Sequence, residues 1–313
     1  MTVYWEVVMR NWHGVVGVGG PFVSVFLDVS DHVDLRWRAV RDQLEGAGAD
    51  RESLDVLSDA LLVAEPPTGM AARGLVAGAG RVLVDRYLPV PPPGAVARSG
   101  PLPYLLPFVD LAEPLLSHVV VNVGPHGADL RGVDPTGRAV AVASVGARRS
   151  DRRLGAAELA DVATEVTALV DRLGAPLLVL AGPLAARRSL RVALPAGYRH
   201  LVVEVDGAPE PAVAALAGRA DQDLRRAVVR RFRDESARLT GRAAHGVADV
   251  QAALERGVVE TLLLTDPLVG SREAVGGRAD EVLPLLAAKC DADVVLTGGS
   301  LRLHEDVGAL LSS

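Results

Sequence analysis

A chain of 313 residues, 49% hydrophobic but only 4% aromatic, can bury one large core or two to three small ones, built from Ala, Val and Leu. A formal net charge of −6 excludes a protein whose whole surface engages nucleic acid, so any RNA contact has to be local. The single cysteine, Cys290, excludes an internal disulfide and a thiolate metal cluster, and no apolar run approaches the roughly 18 residues of a membrane span.

The first twenty residues are apolar but carry Glu6 and Arg10, unlike a secretory leader, so the expected location is the cytoplasm. Phe22 to Asp28 alternates as a strand. Val33, Trp37, Val40 and Leu44 mark one helix face, and Leu54, Leu57 and Leu61 a second, with Asp50 as its cap. Pro66 and Pro67 end that helix. Gly74 to Ala77, a turn at Gly78-Ala79-Gly80 and Arg81 to Tyr87 read as a hairpin. Leu88 to Pro107 is proline-rich and reads as a rigid connector or surface strap. A first domain is expected over residues 1–117.

His118 to Val123, Ala128 to Val133 and Arg138 to Val145 are three strands joined by tight turns, a meander. Leu159, Val162, Val166, Leu169 and Leu173 define an amphipathic helix that Gly174 ends. A buried strand, Leu177 to Ala181, leads through Gly182-Pro183 into a short helix bearing Arg187 and Arg188, and Leu201 to Val205 is a further strand. Strands first, then helix and strand, predict a mixed sheet with helices packed on it, over residues 118–208.

A third segment, 209–313, opens with a long helix through Val213, Leu216, Ala220, Leu224, Val228 and Phe232. Its arginines at 225, 226, 230, 231 and 233 read as a solvated helix surface with i,i+4 pairs. Val247, Val250 and Leu254 form a helix face ended by Gly257, and Val258 to Leu264 is a strand with Thr265 and Asp266 at its carboxyl end. A helix near Val282 to Ala288 precedes a second strand, Asp293 to Leu296. The fold class is therefore α/β throughout.

The chemistry-bearing motifs are few. There is no phosphate loop of the GxxxxGK[ST] kind and no GxSxG, and the seven histidines show no close ligand spacing. No catalytic, cofactor or metal residue is assigned. Gly17-Val18-Gly19-Gly20 opens no helix, and Gly298-Gly299-Ser300 is the better place for a phosphate nest, although a plain turn accounts for it. Cys290 reads as a small buried hydrophobe, and His245 as a cap or surface residue. The most unusual local charge is in Gly146 to Gly155, where Arg148, Arg149, Arg152 and Arg153 face one carboxylate, Asp151. Guanidinium groups suit bidentate phosphate contacts, which position a protein without reading sequence. A solvated loop at a domain tip is the alternative.

Three stretches resemble the archaeo-eukaryotic peptide-chain release factor superfamily in its bacterial branch. They are Val23-Ser-Val-Phe-Leu-Asp28 with Leu35-Arg-Trp-Arg38, then Leu177-Leu-Val-Leu-Ala-Gly182 with Ala186-Arg187 and Leu194-Pro195, and finally Ala253 to Asp266 with Gly308-Ala-Leu-Leu311. The resemblance implies three domains, the middle one like the release-factor catalytic domain and the last an L7Ae-like α/β/α domain. In such factors a Gly-Gly-Gln loop between meander and long helix positions the hydrolytic water. The corresponding stretch here is Gly146 to Gly155, and Gly-Gly-Gln and Asn-Ile-Lys-Ser are both absent from the chain.

The resemblance thus points to a non-hydrolytic, ribosome-associated stress factor similar to hibernation factors of the Balon type, occupying the aminoacyl-tRNA site. The partners it implies are ribosomal RNA and elongation factor Tu, with no membrane, no DNA and a monomeric state expected. The RNA-contact candidates are Arg148, Arg149, Arg152, Arg153, Arg187 and Arg188. A divergent peptidyl-tRNA or RNA-processing hydrolase, and a protein-interaction scaffold without an RNA role, are the competing readings.

Overall fold

The computed structural model describes residues 12, 14–63, 70–111, 116–134, 139–145, 154–238, 241–265 and 272–312. The chain divides into two compact units, one formed by residues 114–222 and the other by the segments before and after it.

The discontinuous unit holds two sheets. In the first, β1 (Phe22–Asp28), β2 (Ala72–Gly78), β3 (Arg81–Leu88) and β4 (Val96–Gly100) pair antiparallel in the order β3-β2-β1-β4. Strand alternation divides β1 between two cores. Val23, Val25 and Leu27 pack with Trp37, Val40 and Leu44 of α1 (Val33–Gly46) and Leu54, Leu57 and Leu61 of α2 (Arg51–Val63). Phe22 and Phe26 face the other way, among Leu105, Phe108 and residues of the carboxyl-terminal segment. Asp50 caps α2 as expected, its Oδ1 accepting the Ser53 N–H at 2.8 Å. The hairpin turn is Ala79-Gly80, with φ of 49° and 68°, the left-handed pair that a two-residue turn between right-twisted strands requires.

The proline-rich stretch departs from its reading as a connector or strap. Val96–Gly100 is the fourth strand, paired with β1, and Leu105 and Phe108, the latter in the short helix α3 (Pro107–Asp110), are fully buried. The prolines sit on either side of an edge strand, where no ladder N–H is lost.

The middle unit is built on β5 (His118–Val123), β6 (Ala128–Val133), β7 (Ala139–Val145), β8 (Leu177–Ala181) and β9 (Val202–Glu204), in the order β7-β6-β5-β8-β9. The meander pairs antiparallel, and β5, β8 and β9 pair parallel, so the sheet is mixed. Helix α4 (Ala156–Leu173) buries Val162, Val166 and Leu169 against Val119, Val121 and Leu130, with Leu190 and Leu194 at α5 (Leu184–Ala193) completing the cluster. Gly174 ends α4 with φ 55°.

Helix α6 (Glu210–Arg238) is followed by β10 (Ala243–His245), α7 (Gly246–Glu255), β11 (Val259–Leu264), the small hairpin β12 (Glu273–Ala274) and β13 (Gly277–Arg278), α8 (Ala279–Lys289), β14 (Asp293–Leu296) and β15 (Val307–Leu311). The second sheet of the discontinuous unit has the order β10-β15-β11-β14, with β11 and β14 parallel. One face packs on Val250 and Leu254 of α7 and Leu283 and Ala287 of α8, the other on Val229 and Phe232 of α6. The result is an α/β/α layering. Strands β10 and β15, which the apolar spacing does not predict, close its antiparallel side.

The arginines of α6 do more than face solvent. Arg225 Nη1 donates to the Leu296 carbonyl at 2.9 Å, Arg231 pairs with Glu260, and Arg233 donates to the Ser300 carbonyl. They tie α6 to the sheet, while Arg226 lies 3.5 Å from Asp223 on the same helix. His245 is at the N-cap of α7 without a side-chain cap bond and lies on Phe232, ring centroids 5.0 Å apart. Cys290 is partly buried at the end of α8, and burial pushes its thiol pKa up.

Candidate nucleic-acid interface

The candidate site lies at the carboxyl edge of the middle sheet. Strand β7 is antiparallel to β6, and β6 to β5, so β7 runs with β5, β8 and β9. Val123, Val145, Ala181 and Glu204 therefore end at one edge. Open α/β sheets present their ligand-contacting loops at this edge.

Four connections leave it, the last of them Val205 to Pro209 between β9 and α6. The first is the turn Gly124 to Gly127, closed by the Gly124 N–H donating to the Gly127 carbonyl at 2.7 Å. The second runs from Val145 to Leu154 and carries Arg148, Arg149, Arg152 and Arg153, which lie outside the described residues. Its far end is fastened to the first turn: the Leu154 N–H donates to the Pro125 carbonyl at 2.8 Å. The next residue, Gly155, is the N-cap of α4, and its N–H donates to Glu158 Oε2 at 2.7 Å. A carboxylate in the first helical turn also faces the positive end of the helix dipole. The third connection is Gly182-Pro183, leading into the amino end of α5. Gly182 has φ 107°, and a Cβ there would stand 2.2 Å from the Val123 carbonyl oxygen. Only glycine lets β8 turn this close to β5.

The two arginines of α5 are separated by the helix. Arg187 is buried, in line with Leu190 and Leu194 at helical spacing. Its Nη1 donates to the Val205 carbonyl at 2.8 Å and its Nη2 to Asp206, so it clamps the carboxyl end of β9 to α5. Arg188 is exposed, one residue and about 100° further round. Arg191, also exposed, reaches Glu204 Oε1 at 3.1 Å. Of the α5 candidates, then, Arg188 is exposed and Arg187 holds the edge together. Asp206 and Glu158 are the site residues that motif searching misses. Glu158 carried a partial signal, since a Glu three residues after an N-cap position is one half of a capping box, whereas Asp206 carried none.

His118 opens β5 at the opposite edge. Burial lowers its pKa most, Arg131 lowers it further, and the Leu116 carbonyl, 2.7 Å from Nδ1, and Glu210 oppose that. The ring is half-buried, away from the carboxyl edge. Among the described residues no group of three His, Cys, Asp or Glu side chains could hold a metal ion, and no helix is long and apolar enough to cross a membrane.

Comparison with known proteins finds three kinds of similarity. Residues 155–249, from the N-cap of α4 into α7, match the model of "bacterial archaeo-eukaryotic release factor family 2". The uncharacterized proteins Rv2629 and MT2704 of Mycobacterium tuberculosis are each 29% identical, over 95% of this chain and 94% of theirs. Among solved structures, a model of ribosome-bound archaeal Pelota with ABCE1 is similar at 16% identity and a TM-score of 0.44, covering 100% of this chain and 95% of that one. Archaeoglobus fulgidus Pelota is similar at 16% identity and a TM-score of 0.41, covering 97% and 92%.

Proposed function

We propose that the protein is a non-hydrolytic, ribosome-associated factor of release-factor descent that binds ribosomal RNA through a basic tip on the carboxyl edge of its middle sheet. The observation that supports this most is the match of residues 155–249 to the bacterial release-factor model. It begins at the N-cap of α4, directly after the arginine-rich connection.

In this reading the segment from Gly146 to Gly155 occupies the place of the hydrolytic loop of release factors. It carries four arginines and no Gly-Gly-Gln. Guanidinium groups neutralise phosphates and can hold a position on RNA. They supply no group that orients a water for attack on an ester. The tip accordingly occupies the aminoacyl-tRNA site without cleaving peptidyl-tRNA, as a hibernation-type stress factor would. Arg188, exposed on α5, is a further candidate phosphate contact, and Arg187 clamps the end of β9 to α5. The carboxyl-terminal α/β/α layer is the L7Ae-like module of a three-module chain, and elongation factor Tu is the protein partner to test. The expected setting is a cytoplasmic monomer.

The test is co-sedimentation with ribosomes across a salt series, comparing the parent with an Arg148/Arg149/Arg152/Arg153→Ala variant. The parent is expected in the pellet at low salt and to be lost as salt rises, because each phosphate contact releases counterions. The variant should leave the pellet at lower salt, with a shallower dependence. Equal sedimentation at every salt concentration would remove the arginine tip from the proposal. Hydrolysis of peptidyl-tRNA by the same samples would replace the blocker with an enzyme.

A further inference from the structure

The discontinuous unit joins segments that are far apart in the chain. Phe26, Leu105 and Phe108 from the first share one core with Leu264, Leu283 and Val294 from the second. Apolar contact of this kind is strong but non-directional. It holds two surfaces together without fixing one arrangement of them.

A directional set of charges crosses the same junction. Asp280, at the second position of α8, has a side chain with 0% exposure. Its Oδ2 accepts from Arg98 Nη1 at 2.9 Å and its Oδ1 from Arg278 Nε at 3.0 Å. Arg98 Nη1 also reaches Glu281 Oε1 at 3.0 Å. The Arg98 guanidinium lies 3.5 Å from the ring centroid of Tyr104. Tyr104 in turn is fastened to the first sheet, its N–H donating to Ser24 Oγ at 2.9 Å.

Arg278 belongs to the same segment as Asp280 and stays beside it whatever the first segment does. Arg98 comes from β4 and reaches Asp280 only when the two segments are docked. A fully desolvated carboxylate is tolerated when its charge is paired and becomes costly when one partner leaves. The pair therefore favours two arrangements, docked with both arginines in place or parted with Asp280 in water, over any looseness between them.

We propose that Arg98, Asp280, Glu281 and Tyr104 form a latch that fixes the first sheet on the carboxyl-terminal α/β layer, and that its release is the conformational step open to this unit. The latch is independent of the ribosome-binding reading. It would be present whatever the middle unit contacts.

Hydrogen exchange read by mass spectrometry on the full chain tests it. Arg98→Met keeps an apolar stem over Tyr104 but removes the charge, and Asp280→Asn keeps the shape of the buried group. Each is expected to raise exchange by on the order of 100-fold at Tyr104 to Asp110 and across α8. Strands β1, β2 and β11, each within its own segment, should keep the parent's protection. Parental exchange everywhere in both variants overturns the latch. Loss of protection spread evenly through the whole unit overturns it too, because the charges would then be ordinary core contacts. If Arg98→Met does not fold, Asp280→Asn decides alone, and failure of both to fold also overturns the proposal.

Discussion

Arg187 and Arg188 are neighbours in the chain with opposite surroundings, one buried and one exposed. The sequence held the means to separate them. Leu190 and Leu194 lie three and seven residues after Arg187, which sets Arg187 on the apolar face of α5. A charge count treats both as surface cations, and helix phase does not. Arg187→Ala is expected to cost about 2–3 kcal/mol in urea unfolding, since it empties the buried space that the Arg187 side chain fills and leaves the Val205 carbonyl without its donor. Its ribosome sedimentation at low salt, without urea, should match the parent's, whereas Arg188→Ala should do the reverse. A parental unfolding midpoint for Arg187→Ala would contradict the clamp.

His118 gives the protein a pH signature. Its folded pKa lies below the ordinary histidine value of 6.5, chiefly through burial. The unfolded chain thus takes up a proton at a higher pH than the folded one does. The stability this histidine contributes is fully present above pH 6.5 and is lost as pH falls from there through the folded pKa. Unfolding free energies measured at several pH values should decline on acidification below that point in the parent. They should decline less in His118→Gln, and parallel curves would exclude His118 as the source.

At the scale of elements, two glycines end secondary structures and should differ sharply in tolerance. Gly174 closes α4 with φ 55° and nothing within 4 Å of a Cβ, so Gly174→Ala meets only the left-handed backbone penalty, about 1 kcal/mol. Gly182 adds to an unfavourable φ a clash with the Val123 carbonyl oxygen. Gly182→Ala should cost more than about 3 kcal/mol and part β8 from β5 at their carboxyl ends. Urea midpoints of the two variants test the ordering, and equal midpoints would contradict the close approach. Helices and central strands were legible because their apolar spacing is long and regular, as in α4. Strand β4 was not, since Val-Ala-Arg-Ser-Gly is short, half-buried throughout and flanked by proline. β10 has three residues, and β15 contains Gly308, where a Cβ would stand 2.8 Å from the Phe232 ring. Its strand is defined by a partner tens of residues away, which local pattern cannot show. The connection from β7 to α4 was legible only as a loop between meander and helix. That β7 ends at the same edge as β8, next to Gly182, follows from strand directions alone.

For the whole molecule, the consequence is that order along the chain and physical body do not coincide. Residues 114–222 form one unit, inserted between two segments that form the other. Leu180 in β8 is fully buried in the first, and Leu283 in α8 is fully buried in the second. Truncating either to alanine removes on the order of 2–5 kcal/mol from its own unit. Scanning calorimetry of Leu180→Ala should therefore lower the transition of the middle unit by roughly 10 °C and leave the other in place. Leu283→Ala should lower the other transition, by a smaller amount because that unit is larger. It should also loosen amide protection at Tyr104 to Asp110, far earlier in the chain, because Phe108 and Leu283 belong to one core. Loss of protection confined to residues 259–311 in Leu283→Ala would mean that the first sheet is a separate folding unit, and that the shared core adds little cooperativity beyond the Arg98–Asp280 contact.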